Sequence, residues 1–339
     1  MDFELSDDQV ALQDAARGLL DDLASPTKVR AHVASGEPFD AKLWQAMVAQ
    51  GWLGVDVPES AGGLELGFVD AAVLMEQVGR HVAPAPFHQT VLALTSLAGT
   101  PWAERLLEGA VASVAWTDKP DQPTLVPYAP VADVVLVASP ERLVLHDLTT
   151  GDRPAAESAM DQTRCLGWIP ADRPGSSEIG GADEAAALLD RGAVATSAES
   201  LGASERVLEM AVEHAKERVQ FGKPIGSFQA VKHRCADMLV DVEGMRSTVY
   251  HAAWSIAAGD ADASVAASVA KTWAADAARR VMASGLQVHG GIGFTWEHDL
   301  HFFLKRAQLD QISFGDATVH RDRLAHLLRP KVAAGESVV

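Results

Sequence analysis

Two consecutive stretches in the C-terminal part of the chain carry apolar or small residues at helical spacing, turn after turn. In residues 228 to 258 the apolar side chains recur at intervals of three and four, which places them on one continuous stripe of a helix. In residues 262 to 288 the recurring residue is alanine, and small side chains let helices approach closely. Such long helices must bury their stripes against one another, so we expect a four-helix bundle. The stripe residues are Val231, Cys235, Met238, Leu239, Val242, Met245, Val249, Ala252, Ala253 and Ile256, then Ala266, Ala267, Ala270, Ala274 and Ala278.

The chain before this bundle changes character once. Residues 1 to 108 are predicted to be helical, with Ser6 as an N-cap followed by the acids Asp7 and Asp8 in the first turn. Residues 109 to 182 hold short β-branched runs such as ADVVLVA and RLVLHDL, separated by proline, aspartate and glycine. The sequence therefore predicts an α+β fold that is mainly α. It has an N-terminal helical domain, a small and mainly antiparallel middle β domain, and a C-terminal helical bundle over residues 183 to 339.

Charge and cysteine content narrow the class of protein. The chain has 46 acidic and 28 basic residues, and its net charge of −18 argues against nucleic acid and against an anionic membrane surface as partners. No apolar run approaches a membrane span, and the acidic start MDFELSDDQV lacks the apolar segment of a signal peptide. Cys165 and Cys235 have no CxxC spacing and are predicted to be reduced. These features favour a cytoplasmic protein.

The first of two glycine-bearing motifs is ERVQFGKPIGSFQ, residues 217 to 229, between two predicted helices. One interpretation is purely structural: Gly222 ends the first helix, Pro224 prevents its continuation, and Ser227 caps the second. The other interpretation is functional. Arg218 and Lys223 flank a helix N-terminus whose free amides begin near Phe228, and a cation beside a helix N-terminus is a phosphate site. The motif alone leaves both open.

The second motif is LQVHGGIGF, residues 286 to 294, at the end of the second long helix. Its glycines permit a positive φ and could simply stop the helix. They could equally let a ligand lie against bare backbone, with the amide of Gln287 beside it. The motif follows a helix and lacks the G-x-G-x-x-G order, so it is not a Rossmann fingerprint.

Together, the two motifs resemble the acyl-CoA dehydrogenase family, which has RxQFGxPIxxFQ followed by QxxGGxG. GWLGVDVPESAGGLEL, residues 51 to 66, is similar to the family's GWxGxxxPExxGGxG pattern, and EQVGRHVAPAPF, residues 76 to 87, resembles its EExGR segment. The resemblance covers almost the whole chain. It implies FAD as cofactor and oxidation of an acyl-CoA thioester to the 2,3-enoyl-CoA. In that reaction a carboxylate takes the α-proton while the β-hydrogen leaves as hydride to the flavin.

The resemblance also implies which residues contact FAD. In such tetramers the two motifs reach across to the cofactor of the neighbouring subunit. Arg218 and Gln220 would contact the pyrophosphate. The residues implied at the same end are Phe221, Phe228 and Gln229, and those at the adenosine side are Gln287, Gly290 and Gly291.

The other half of a flavin site does not match. The family carries T-E-P-x-x-G-S-D where this chain has AWTDKPDQPTLVP, residues 115 to 127. Thr117 and Pro120 correspond loosely, but the Gly-Ser-Asp end is absent. The W-I-[TS]-N segment that flanks the flavin in the family is absent as well. We therefore expect this chain to lack the residues that would face an isoalloxazine ring of its own.

The family's catalytic base is absent too. KRAQLDQISFGDA, residues 305 to 317, aligns without gaps on the segment that carries the family's glutamate, and it places Phe314 at that glutamate. Gly315 falls at the following glycine, and Asp316 at the threonine. Two roles stay open for Asp316. It could be a displaced base, which its shorter side chain and its place two residues further along disfavour. It could instead cap the helix expected to begin around Val319.

The family's alternative base lies early in the first bundle helix, and here it would fall near Gly192. Asp190 is close in sequence, whereas Glu199 and Glu205 should point elsewhere. A metal site is not predicted. His298 and His301 share a helix face, with His320 and His326 further on, but nothing predicts further ligands converging on them.

Three hypotheses follow. In the first, the chain is a complete homotetrameric acyl-CoA dehydrogenase with a displaced base such as Asp316. In the second, it is the non-catalytic subunit of a heteromeric enzyme, and a longer catalytic subunit supplies the base and the isoalloxazine pocket. The family includes such α2β2 enzymes for sterol side-chain CoA thioesters. In the third, it is a flavin-free scaffold or binding module. The second is favoured, because the chain keeps residues that serve a neighbour's flavin and lacks those that serve its own. By resemblance, the electron acceptor is an electron-transfer flavoprotein.

Overall fold

The computed structural model describes residues 4–336 and shows helices at both ends of the chain with a small β region between them. The first six helices are α1 (Asp7–Leu23), α2 (Pro26–Ser35), α3 (Ala41–Ala49), α4 (Phe68–Arg80), α5 (Phe87–Leu97) and α6 (Pro101–Leu107). Ser6 caps α1 as predicted, because its hydroxyl accepts from the Gln9 amide and the Gln9 side chain accepts from the Ser6 amide in return. No helix among residues 4–336 is both long and apolar enough to span a membrane.

The β region contains six strands in two sheets. They are β1 (Ala112–Trp116), β2 (Thr124–Pro127), β3 (Val134–Ala138), β4 (Leu143–Asp147), β5 (Leu166–Ile169) and β6 (Ser176–Gly180). Four strands lie in the order β1-β3-β4-β6, and β2 pairs with β5. Every pairing is antiparallel except β1 with β3, so the mainly antiparallel prediction is confirmed with one parallel exception.

The C-terminal region is built on three long helices: α7 (Ala182–Glu217), α8 (Gln229–Ala257) and α9 (Ala263–His289). A two-stranded hairpin, β7 (Val219–Gln220) and β8 (Lys223–Pro224), joins α7 to α8. Two shorter helices follow, α10 (Leu300–Ile312), which packs on α7 and α9, and α11 (Ala317–Ala334), which packs on α9, so the predicted helical bundle carries one additional helix. The predicted stripes face the core, except that Leu239 is exposed.

Helices α4 and α7 cross closely enough to join the N-terminal region to the bundle. A Cβ atom on Gly202 of α7 would lie 1.8 Å from the carbonyl oxygen of Glu76, and one on Gly79 of α4 would lie 2.0 Å from that of Glu199. No side chain fits at either point, so glycine at both positions sets the distance between the two layers.

Replacing Gly202 by alanine should therefore lower the free energy of unfolding by about 2–3 kcal/mol, because backbone must shift to admit the methyl group. Gly18 in α1 is the matched control. A Cβ there would have no heavy atom within 4 Å, and Gly18→Ala should stabilise the helix by roughly 0.5–1 kcal/mol. Urea denaturation of both variants would measure the difference. Equal stabilities would contradict the close crossing.

Candidate functional site

The two glycine-bearing motifs lie at the same end of the bundle, although some sixty residues of helix separate them in sequence. The last turn of α7 meets the last turn of α9, where the rings of His214 and His289 stack with centroids 4.7 Å apart. The first turns of α8 reach the same place, and Arg234 Nη1 donates to Ser284 Oγ at 3.4 Å. The hairpin that follows α7 is thus held beside the glycines that follow α9.

The hairpin presents its turn to solvent. Val219 pairs with Pro224 and Gln220 with Lys223, so the turn consists of Phe221 and Gly222 alone. Both residues have positive φ, 52° and 79°, as a two-residue hairpin of type I′ requires. Phe221 is 91% exposed. A bulky aromatic residue held in the left-handed region with its ring in solvent is costly, which is typical of a residue kept for contact with something else.

The structure corrects two structural roles given to this motif. Helix α7 ends at Glu217, with Arg218 as its C-cap, so Gly222 forms the hairpin turn and does not end the helix. Helix α8 begins at Gln229 with Phe228 as its N-cap, so Ser227 is not the cap.

The N-terminus of α8 is free to bind an anion. Phe228 makes no side-chain capping hydrogen bond, so the amides of the first turn lack the partner that a polar cap would give them. Lys223 Nζ is 4.6 Å from the centre of the Phe228 ring, and the exposed Arg218 directly precedes the hairpin, where its carbonyl oxygen accepts from the Ile225 amide. The Phe221 ring meets the Phe228 ring edge to face at 6.0 Å. This arrangement can hold a phosphate group.

The end of α9 offers bare backbone beside this terminus. Gly290 ends the helix with φ 63° and ψ −142°, and a Cβ atom on Gly290 or Gly291 would have no heavy atom within 4 Å. Gln287 is exposed on the preceding turn. A ligand can therefore approach the Gly290 and Gly291 backbone directly, and the exposed Gln287 side chain offers it an amide.

These residues fit one edge of FAD. A pyrophosphate requires cations and free amides, and an adenosine requires an open, flat backbone surface with hydrogen-bonding groups. Arg218, Gln220, Gln229, Gln287 and Gly291 are all exposed. A cofactor lying on them would be covered by this chain on one side.

The turn between α10 and α11 holds a buried aromatic side chain and a helix-capping aspartate. Phe314 and Gly315 both have positive φ, 56° and 88°, and Phe314 is buried. Asp316 is the N-cap of α11, which begins two residues earlier than predicted. Its Oδ1 accepts from the amides of Thr318 and Val319 at 2.8 and 3.0 Å. His320 Nε2 lies 2.8 Å from the Phe314 carbonyl oxygen and fixes the turn from the other side.

The Phe314 ring lies directly on Gly192 of α7. A Cβ atom on Gly192 would be 2.2 Å from Phe314 Cδ1, which means that the ring and the glycine backbone are already in contact. The resemblance places the family's glutamate at Phe314 and its alternative base near Gly192, and these two residues meet in space. An aromatic ring and a glycine fill them.

The acids nearest in sequence are held elsewhere. Asp190 accepts from Ser264 Oγ at 2.5 Å and pairs with Arg323. Glu205 pairs with Arg80 at 3.0 Å and Arg246 at 2.8 Å. Each carboxylate is thus engaged by a cation, which agrees with the expectation that Glu205 points elsewhere.

Glu199 belongs to a buried charge network that the sequence did not predict. Its carboxylate contacts both Arg164 and Arg306, while Arg164 reaches Asp310 Oδ1 at 2.7 Å and Arg306 reaches Asp161 Oδ2 at 2.7 Å. All five side chains are buried. The network ties the loop before β5 to α7 and α10. Arg306 and Asp310, which lie four residues apart on one face of α10, are the signal that could have indicated it.

This network sets two guanidinium groups against three carboxylates. Burial alone would raise the pKa of Glu199, but Arg164, His88 and Arg306 hold it well below its usual range. Burial and the neighbouring Glu199 carboxylate raise the pKa of Asp310, against the pull of Arg164.

The segment that replaces the family's flavin-facing stretch forms a local turn between β1 and β2. Thr117 Oγ1 accepts from the Lys119 amide at 3.1 Å, so this hydroxyl serves the turn itself. Thr117 and Pro120 line a small pocket with Ser139 and Arg142, and neither lines the cavity that Phe314 faces.

The histidines singled out above are packed against other rings or the backbone. His298 meets His289 edge to face, and His301 lies against Trp296 and Phe302. His326 Nδ1 lies 2.8 Å from the Asp322 carbonyl oxygen. Within the described part of the chain, no three histidine, cysteine, aspartate or glutamate side chains converge as metal ligands.

Comparison with known proteins gives the same family along most of the chain. The model of the acyl-CoA dehydrogenase N-terminal domain matches residues 6–104, and that of the C-terminal domain matches residues 180–328. Acyl-CoA dehydrogenase IpdE2 of Mycolicibacterium smegmatis is 36% identical over 308 residues, which cover 89% of this chain and 93% of that protein.

Two solved structures extend the likeness to heteromeric proteins. The Tcur3481-Tcur3483 steroid ACAD, as its G363A variant, superposes with a TM-score of 0.85 at 28% identity and covers 96% of this chain and 99% of its own. The ChsE4-ChsE5 complex of Mycobacterium tuberculosis gives the same TM-score and identity, over 97% of this chain and 99% of its own.

Proposed function

Because this chain belongs to the acyl-CoA dehydrogenase family of flavoprotein oxidoreductases, we propose that it is the non-catalytic subunit of a heteromeric member. In this proposal its residues contact the FAD of a longer catalytic partner, and that partner supplies the base and the isoalloxazine pocket. The reaction is the 2,3-desaturation of an acyl-CoA thioester.

The contact between Phe314 and Gly192 is the observation that carries the proposal. The reaction needs a carboxylate within reach of the substrate α-carbon, and a misplacement of 1 Å already costs much of the rate. The resemblance places such a carboxylate at Phe314 or near Gly192, and neither of these two residues can take a proton. Asp316 is engaged in capping α11, which disfavours the homotetramer with a displaced base.

The exposed edge at the end of the bundle supports the cofactor role. FAD, when bound, supplies the redox chemistry by accepting the hydride from the substrate. Arg218 would neutralise part of the pyrophosphate charge, and the uncapped N-terminus of α8 would donate amides to it. Gly290 and Gly291 would let the cofactor lie against the backbone. A flavin-free scaffold needs none of these features, and in particular does not need Phe221 in solvent.

Two of the similar solved structures support a heteromeric assembly. One is the Tcur3481-Tcur3483 steroid ACAD and another is the ChsE4-ChsE5 complex. We extend this to the present chain: its partner is a second, longer acyl-CoA dehydrogenase chain. The acyl-CoA carries a bulky, sterol-type group, and an electron-transfer flavoprotein takes up the electrons.

Co-expression tests the proposal. The chain purified alone should carry no flavin, and the complex with a partner encoded beside it should carry FAD and oxidise acyl-CoA. In that complex Asp316→Asn should leave turnover unchanged, because asparagine caps a helix as well as aspartate does but cannot act as a base. Flavin and acyl-CoA oxidation in the isolated chain would overturn the proposal, as would loss of turnover in Asp316→Asn.

A further inference from the structure

A cavity of about 210 Å³ lies where the N-terminal helices α1, α2 and α4 meet α7 and α10. A single water molecule needs only about 10–15 Å³, so a cavity of this size has room for a small organic molecule. Part of its wall is apolar and includes Val29, Val82, Phe302 and Phe303. The rest is charged, which makes the lining amphipathic.

Three arginines line the cavity, and two of them are already paired with carboxylates. Arg80 reaches Glu205 at 3.0 Å and Glu209 at 2.6 Å. Arg206 reaches Glu209 at 3.0 Å. The third arginine, Arg17 of α1, makes no ion pair with any residue between 4 and 336.

The guanidinium group of Arg17 is held in place with its outer end available. Its Nε donates to Gln77 Oε1 at 3.2 Å, which fixes the side chain against α4. The terminal nitrogens Nη1 and Nη2 have no hydrogen-bond partner among the described residues, and neither atom is buried. Arg17 itself is only partly exposed. A ligand in the cavity can therefore reach two donors that carry an unbalanced positive charge.

Two carboxylates in the lining limit which anion can bind there. Asp299 pairs with Arg30, and Asp21 Oδ1 lies 3.0 Å from His81 Nε2. One arginine without a partner can balance one negative charge, whereas a multiply charged anion such as phosphate would be repelled by the two carboxylates. The lining thus favours a monoanion.

The wall of the cavity also contains a strained residue. Val82, directly after the C-cap of α4, is buried and has a φ of 47°. A β-branched side chain is rarely held in the left-handed region, and such strain is common beside ligand sites.

We propose that this cavity is a binding site for a small organic monocarboxylate with a compact apolar body. The carboxylate would accept from Nη1 and Nη2 of Arg17, because the forked guanidinium fits two oxygens at once. The apolar body would lie against Phe302 and Phe303. The site is independent of the proposed function, since none of its residues belongs to the candidate FAD edge or to the Phe314 turn.

Benzoate and benzamide test this directly, because they have nearly the same shape and only benzoate is charged. Titration calorimetry with the purified full-length chain should show benzoate binding about tenfold more tightly, the effect of one charge-assisted hydrogen bond. In Arg17→Gln, benzoate should fall to the affinity of benzamide, while benzamide keeps its own. Absence of benzoate binding, equal affinities in the unaltered chain, or a preference that survives Arg17→Gln would overturn the inference.

Two further variants separate the role of Arg17 from that of charge in general. Arg17→Lys should keep a smaller preference for benzoate, since it retains the charge and loses the fork. Arg279→Gln, at an exposed position of α9 outside the lining, should keep the whole preference. If Arg279→Gln lost it as Arg17→Gln does, the cavity would not be what selects benzoate.

The place of binding and the class of anion can be tested in the same assay. Pro26 lies exposed at the rim, so Pro26→Trp should weaken binding of both molecules, whereas Val332→Trp, at an exposed position of α11 outside the lining, should change neither. Unchanged affinities in Pro26→Trp would show that the molecules bind elsewhere. Inorganic phosphate at the same concentration should not displace benzoate, and displacement would contradict a monocarboxylate site.

Discussion

FAD retained by the co-purified complex should fall when Arg218 is replaced by alanine, with a loss of affinity of about ten- to a hundredfold. A charge-assisted hydrogen bond to a phosphate contributes roughly 1.5–3 kcal/mol, and every 1.4 kcal/mol is a factor of about ten. The rest of the edge would stay in place, because the N-terminus of α8 and Lys223 are untouched. Flavin absorbance after dialysis against increasing volumes of buffer measures the loss.

Two variants make the result specific to Arg218. Arg218→Lys should recover part of the affinity, since it keeps the charge and loses the forked geometry. Arg105→Ala removes an arginine that lies on the Trp102 ring in α6, away from this end of the bundle, and should leave FAD retention unchanged. If Arg218→Ala retained FAD as Arg105→Ala does, this chain would not contact the pyrophosphate.

Replacing Arg306 by methionine should lower the free energy of unfolding by about 3–5 kcal/mol. Methionine fills much of the same volume but leaves Asp161 Oδ2 and one Glu199 oxygen buried without their cation, and a broken buried pair costs this much. Chemical denaturation of the full-length chain would measure it, with unchanged circular dichroism as the sign that the variant still folds.

The matched control is Arg280→Met, which breaks a pair with Asp241 on an exposed helix face, with Nε to Oδ2 at 3.0 Å. An exposed pair contributes about 0–1 kcal/mol, so this variant should lose little. Adding Asp161→Asn to Arg306→Met should recover part of the loss, because the neutral amide leaves no unpaired charge. Equal losses in Arg306→Met and Arg280→Met would show that the network adds nothing to stability.

The elements that the sequence predicted are those whose signal is local. The stripe from Val231 to Ile256 and the alanines from Ala266 to Ala278 each repeat within a single helix, and the structure places both in long helices. The Ser6 cap is equally local, because the partners lie within four residues of each other.

The features that escaped prediction depend on residues far apart in the chain or on very short segments. Arg164 and Asp310 lie 146 positions apart, and no periodicity connects them. Strands β7 and β8 have two residues each, too few for an alternating pattern to show. The candidate FAD edge was predicted residue by residue from the family pattern. Its openness to solvent depends on the packing around it, and only the structure shows that.

The contact between Phe314 and Gly192 has a consequence for how such a chain could change over generations. A glutamate at position 192 alone would collide with the aromatic ring of Phe314. A base at position 192 therefore requires a second mutation at position 314. In the proposed heteromer, the absence of a base at position 192 would therefore be stable against reversal by any single mutation.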